Sequence, residues 1–174
     1  MDGIIDRLVT IRDDKAATGS SRPHVVIIGA GFGGLSAAMQ LAHVAADVTV
    51  IDRRNHHLFQ PLLYQVATAA LSPAHIAAPI RGILSRQANA DVTLGTVTGI
   101  DTAERTVLIG PRRIAYDQLI IATGARDSYF GHNEWASVTS GLKSIEDATR
   151  CGDAFLSHSS TPKTAPTKAS GAGC

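Results

Sequence analysis

Four β-branched residues, Val25-Val26-Ile27-Ile28, run directly into Gly29-Ala30-Gly31-Phe32-Gly33-Gly34. A continuous run of this kind predicts a strand buried on both faces. Leu35 to Val44 then keeps small residues on one side and predicts a helix, and Asp47 to Ile51 predicts a second buried strand. Strand, glycine turn, helix and strand in that order make half of a Rossmann-type α/β unit.

The glycines fit G-x-G-x-x-G. Gly29 permits the tight turn out of the strand, and Gly31 has no side chain to keep a pyrophosphate off the backbone. Gly34 lets the helix pack closely on the strand. The helix start aims N–H groups and the positive end of its dipole at the phosphates, so Ala30, Phe32 and Gly33 join the candidate segment. Asp52 ends the second strand, where a carboxylate accepts hydrogen bonds from an adenosine ribose. It weighs against a 2′-phosphate. The adjoining Arg53 and Arg54 read as solvated or paired charges, Arg53 being carried as a further candidate beside the cofactor. The fingerprint does not by itself separate FAD from NAD.

Residues 1–22 read as a flexible extension, with a short helix over Ile4–Ile11. Residues 23–150 form one expected domain. Within it Ile76 to Arg86 predicts a short helix. Val92 to Ile100 and Arg105 to Ile109 predict antiparallel strands with a tight connection, and Gln118 to Thr123 predicts a third buried strand. After Arg150 the chain turns rich in Ser, Thr, Pro and Lys, so residues 151–174 are expected to be disordered.

A net charge of +1 gives no strong pull toward nucleic acid or acidic lipid. No apolar run approaches the ~20 residues that span a bilayer, and the charged N-terminus is unlike a signal peptide, so a cytoplasmic location is expected. Cys151 and Cys174 have no C-x-x-C partner, which leaves no redox pair or zinc site. His56 and His57 face opposite ways if extended, so no metal site is expected. No nucleophile–base pair or carboxylate dyad is present, and no catalytic residue is assigned.

Leu58-Phe59-Gln60-Pro61-Leu62-Leu63-Tyr64-Gln65-Val66-Ala67 is more diagnostic than the glycine turn. Together with His24–Asp52, Ala122–Ala125 and Gly141–Ala148 it resembles the type II NADH:quinone oxidoreductases, members of the pyridine nucleotide–disulfide reductase superfamily. The resemblance implies a Rossmann-like FAD/NAD(P)-binding domain: a parallel sheet with helices and a small antiparallel β insertion, here incomplete. It implies that the first fingerprint holds FAD. Gln60, Pro61 and Leu62 would lie near the isoalloxazine ring, backbone at Thr96-Val97 near the adenine, and Ala122-Thr123-Gly124 in a segment passing close to the FAD. Phe59, Leu62, Leu63 and Tyr64 read equally as plain core.

The family's reaction passes electrons from NADH through FAD to a quinone of the respiratory chain. At full length it sits at the cytoplasmic face of the inner membrane. Neither a second glycine fingerprint nor a C-terminal amphipathic segment to reach that membrane is found here. This chain is therefore expected to be an N-terminal fragment that retains FAD weakly. Back-translation across Arg150 in a frame shifted by one base can spell an arginine-rich helix like the family's, so residues 151–174 are expected to be out of frame. Two alternatives remain open: an inactive truncated product, and another flavoprotein related to the disulfide reductases. Leu58–Ala67 stands where the latter carry a cysteine pair.

Overall fold

The computed structural model describes residues 22–125 and 127–159. The expected helix over Ile4–Ile11 lies outside them. In chain order the elements are β1 (His24–Ile28), α1 (Phe32–Gln40), β2 (Asp47–Asp52), β3 (His56–Leu58), α2 (Leu63–Ala67), β4 (Ala77–Pro79), α3 (Ile80–Ile83), β5 (Ala90–Leu94), β6 (Gly99–Asp101), β7 (Thr106–Ile109), β8 (Arg112–Ala115), β9 (Gln118–Ile121) and α4 (Ile145–Ser159). Where the sequence predicted one domain over 23–150, the described residues fall into two units, 22–58 with 77–125 and 59–76 with 127–159.

The first unit is layered about a parallel sheet of order β5-β2-β1-β9. The apolar run of β1 supplies both faces because successive side chains point opposite ways. Val25 and Ile27 pack with Leu35, Ala38, Val48, Val50, Ile80 and Leu84 in one cluster. Val26 and Ile28 pack on the other face with Ile51, Val107 and Ile109. The second cluster is roofed by the antiparallel sheet β6-β7-β8, the expected insertion.

Three sequence expectations change. The predicted strand over 92–100 is two strands in two sheets: β5 runs parallel to β2 with Val50 opposite Val92, while β6 pairs antiparallel with β7. The predicted helix over 76–86 is only one turn, α3, because Ala77–Pro79 instead pairs with β3 through Leu58 and Ala77. The first helix stops at Gln40 and continues as a 3-10 turn over Leu41–His43. Its end is held by Asn89, whose Nδ2 donates to the carbonyls of Leu41, Val44 and Ala46 at 3.0, 3.2 and 2.9 Å. The Leu41 and Val44 carbonyls also accept from the Val44 and Ala46 N–H groups at 3.1 and 2.8 Å, so Asn89 adds a side-chain donor to a turn already closed by backbone bonds.

In the second unit α2 packs against α4. Leu63 and Val66 are buried on α2, as are Ala148 and Gly152 on or beside the facing turns of α4. A Cβ on Gly152 would stand 3.1 Å from the Ala67 carbonyl oxygen, so only a small residue fits there. The expectation of disorder from residue 151 is thus corrected for 151–159, which continue α4. The missed signal was the helix start. Asp147 N–H donates to Ser144 Oγ at 3.1 Å, and Asp147 Oδ2 accepts from the Ser144 N–H at 3.0 Å. This reciprocal pair is a capping box.

The Ser144 side chain is the largest influence holding the Asp147 carboxyl below its ordinary range. The Lys143 and Ser144 backbone N–H groups and Arg150 act the same way, against desolvation. A carboxylate with a depressed folded pKa stabilises above its unfolded pKa, and that contribution is lost as pH falls through the folded value. Helicity in α4 is therefore expected to fall as pH drops below about 4. Circular dichroism should show this acid step in the parent chain and a smaller one in Asp147→Asn.

Candidate functional site

The turn Gly29–Gly34 leaves the carboxyl end of β1, which lies between β2 and β9 in register with both: Ile28 faces Ile51 on one side and Ile121 on the other. The chain leaves β1 toward β2 and returns later to its opposite side as β9. In open α/β sheets ligands bind at such a switch point, beyond the carboxyl ends of the strands.

Each of the three glycines that fit G-x-G-x-x-G has a different local reason. Gly29 sits at φ +99°, and a Cβ there would overlap the Ala122 carbonyl oxygen. A Cβ on Gly34 would overlap the carbonyl oxygen of Gly29 and stand 3.3 Å from the Ala122 Cβ. Helix, turn and the segment after β9 are therefore pressed together at backbone distance. At Gly31 a Cβ would meet nothing within 4 Å, so the backbone there borders open space. Gly31 is also the N-cap of α1 and offers no side-chain cap to the first turn. A helix start of this kind aims backbone N–H groups at an anion, and a pyrophosphate suits this cradle.

Asp52 stands beside the turn. Its Oδ2 accepts from the Ala30 N–H at 2.6 Å and its Oδ1 from the Arg54 N–H at 2.8 Å. On the other side of the same residue, His57 Nδ1 lies 3.0 Å from the Ala30 carbonyl oxygen. Because a carbonyl only accepts, Nδ1 carries the proton. The His57 ring also meets Phe32 edge to face at 5.0 Å between centroids.

Residues 23–159 match the family described as pyridine nucleotide-disulphide oxidoreductase. The chain belongs to that family. The type II NADH:quinone oxidoreductase Ndh of Mycobacterium tuberculosis is 47% identical to it over 150 residues, covering 84% of this chain and 32% of the relative. The sulfide:quinone oxidoreductase of Aquifex aeolicus shares its fold at a TM-score of 0.71 and 26% identity, over 80% of this chain and 33% of that one. NDH2 of Plasmodium falciparum, solved in complex with NADH, shares the fold at a TM-score of 0.67 and 24% identity, over 83% and 31% of the two chains. The chain thus spans about a third of the length of the curated relatives it matches.

In this pyridine nucleotide-disulphide oxidoreductase chain, the first unit brings together Gly29, Ala30, Gly31, Phe32, Gly33, Gly34, Asp52, Ala122 and Thr123. Gly124 follows at φ +74°. Arg53 is exposed beside Asp52. The Gly95 N–H donates to the Asp52 carbonyl at 2.9 Å, which brings the chain leading to Val97 past the end of β2. The half-buried Val97 side chain packs on the Val26–Ile28 cluster. Gln60, Pro61 and Leu62 belong to the second unit, where Gln60 Nε2 donates to the Lys143 carbonyl at 3.4 Å. Of the expected core residues in that motif, Leu63 is buried, whereas Phe59 and Tyr64 are exposed. Among the described residues no helix is long and apolar enough to cross a membrane.

Sequence reasoning missed His57. In the sequence its only reading is against a metal site, and no local pattern ties it to Ala30, 27 positions earlier.

Proposed function

We propose that this chain carries the FAD-binding portion of an NADH:quinone oxidoreductase. The observation behind this reading is the glycine turn at the switch point, flanked by Asp52 on one side and by Ala122-Thr123 on the other. In the proposal the N–H groups from Gly31 to Gly34 hold the pyrophosphate and Asp52 holds the adenosine ribose. Backbone at Val97 borders the adenine, and Ala122–Gly124 supports the turn from beneath. Gln60, Pro61 and Leu62 are assigned to the isoalloxazine end on the strength of the motif alone. Bound FAD would supply two-electron transfer between NADH and a quinone. The protein's own work here is binding and orientation. NADH and the quinone belong to the whole-length reading, supported by the Mycobacterium tuberculosis relative's name; a cytoplasmic membrane-face location is proposed with that reading and rests on the sequence resemblance alone.

The test is an amide NMR titration of the 174-residue chain with FAD. Millimolar FAD is expected to shift the Gly29–Gly34 amides, with ADP competing and no quinone-dependent NADH oxidation by this chain alone. Unmoved amides in that turn would defeat the proposal. Equal affinity for NAD would reassign the turn to a nicotinamide dinucleotide.

A further inference from the structure

We infer that His57 is a positioning residue of the dinucleotide turn, acting by aiming the Gly31 N–H; this deepens the FAD reading and rests on it. Ala30 is gripped at both ends. Its N–H donates to Asp52 Oδ2 at 2.6 Å, and its carbonyl accepts from His57 Nδ1–H at 3.0 Å. Ala30 itself is 2% exposed, and its side chain belongs to the core cluster around Ile27 and Leu35.

The peptide between Ala30 and Gly31 is planar and trans, so its carbonyl and N–H point in opposite directions. Fixing the Ala30 carbonyl on His57 therefore fixes the opposite direction for the Gly31 N–H. Gly31 is the residue whose α-carbon borders open space and which stands as the N-cap of α1. A glycine flanked by a turn has wide freedom of φ and ψ, and an unrestrained peptide here would rotate at little cost. The imidazole removes that freedom before a ligand arrives, which lowers the ordering cost of binding.

His57 is itself held. It lies in β3, whose pairing with β4 places it opposite Ala78. Its ring edge-to-face contact with Phe32, the first residue of α1, ties the same side chain to the helix start. Asp52 and His57 thus fix adjacent peptide planes from two different strands. The requirement at position 57 is a donor at the δ position, and asparagine presents its Nδ2 the same number of bonds from Cα.

The experiment uses the full chain with His57→Phe, which keeps an aromatic ring and removes the donor, and His57→Asn, which keeps a donor and removes the ring. Backbone amide NMR relaxation at Gly31 and hydrogen exchange across the sheet are read without ligand, and FAD affinity by titration. In His57→Phe, the Gly31 amide order parameter is expected to fall from about 0.85 to below about 0.6 with the β2 amides unchanged, and FAD affinity to fall about tenfold. His57→Asn is expected to recover most of both. A Gly31 amide as ordered in His57→Phe as in the parent overturns the inference, as does failure of His57→Asn to restore what His57→Phe loses. Loss of protection across the whole sheet in both variants also overturns it, since that marks a general packing role. A parent chain that binds no FAD, with Gly31 still loosened by His57→Phe and restored by His57→Asn, overturns the cofactor reading instead and leaves the clamp on the turn standing.

Discussion

Gly34→Ala is expected to unfold the turn, whereas Gly31→Ala, three residues earlier in the same motif, should leave the fold intact and weaken dinucleotide binding. At Gly34 the added Cβ overlaps a carbonyl oxygen of the backbone, that of Gly29, and its carbonyl carbon stands at 2.9 Å. Gly29 has no room to retreat, because it is at φ +99° and lies against the Ala122 carbonyl. Relief would require α1 to lift from β1, opening the cluster of Ile27, Leu35 and Ala38. Overpacking against fixed backbone costs about 3 kcal/mol or more, a large part of a typical stability of about 5–15 kcal/mol. Gly31 is different. Its φ of −70° and ψ of −165° suit any L-residue, and its Cβ would enter empty space. Stability there should stay within about 0.5 kcal/mol of the parent. The same methyl group would occupy the volume assigned to the pyrophosphate, so FAD affinity should drop at least about tenfold, or roughly 1.4 kcal/mol. Urea denaturation and FAD titration of the two variants read these effects separately. A Gly34→Ala protein as stable as its parent would refute the close approach of helix and strand.

Asp52→Ala should be the next most damaging change. Its carboxylate accepts from the Ala30 and Arg54 N–H groups at 2.6 and 2.8 Å, one bond on the turn and one on the chain leaving β2. Hydrogen bonds to a charged partner contribute about 1.5–3 kcal/mol each, and part-buried N–H groups left without an acceptor add to the loss. A net destabilisation of about 2–3 kcal/mol is expected, with Asp52→Asn losing less because an amide oxygen still accepts. FAD affinity should fall in both variants under conditions where each remains folded, since the carboxylate is also the proposed ribose acceptor. Denaturation midpoints with unchanged slope would establish the stability effect. Asp52→Ala matching its parent in both measurements would remove Asp52 from the site.

Much of the site was legible in short stretches of sequence. The β1 run, the glycine spacing and the acidic end of β2 lie within one strand–helix–strand unit, and local periodicity reports local structure. The Leu58–Ala67 motif identified the family relationship, but it did not reveal that Leu63 is buried while Phe59 and Tyr64 are exposed, since both are apolar types. The Ser144…Asp147 capping box was also readable and marks the start of the last helix, whose run past Arg150 composition alone indicated as coil.

By itself, then, the sequence determined the first Rossmann half-unit, its phosphate-type turn and the acidic residue beside it. Only the tertiary structure decided that β5 joins the parallel sheet instead of a hairpin, that β9 lies on the far side of β1 with Ala122 beneath the glycines, and that His57 holds the Ala30 carbonyl. The reason is separation along the chain. Val25 pairs with Gln118, and the Val92 segment has the same alternation whether it pairs with β2 or with β7. Alternation tells which face a side chain takes, but the choice of partner strand rests on burying both faces of β1 at once, a condition no single segment carries.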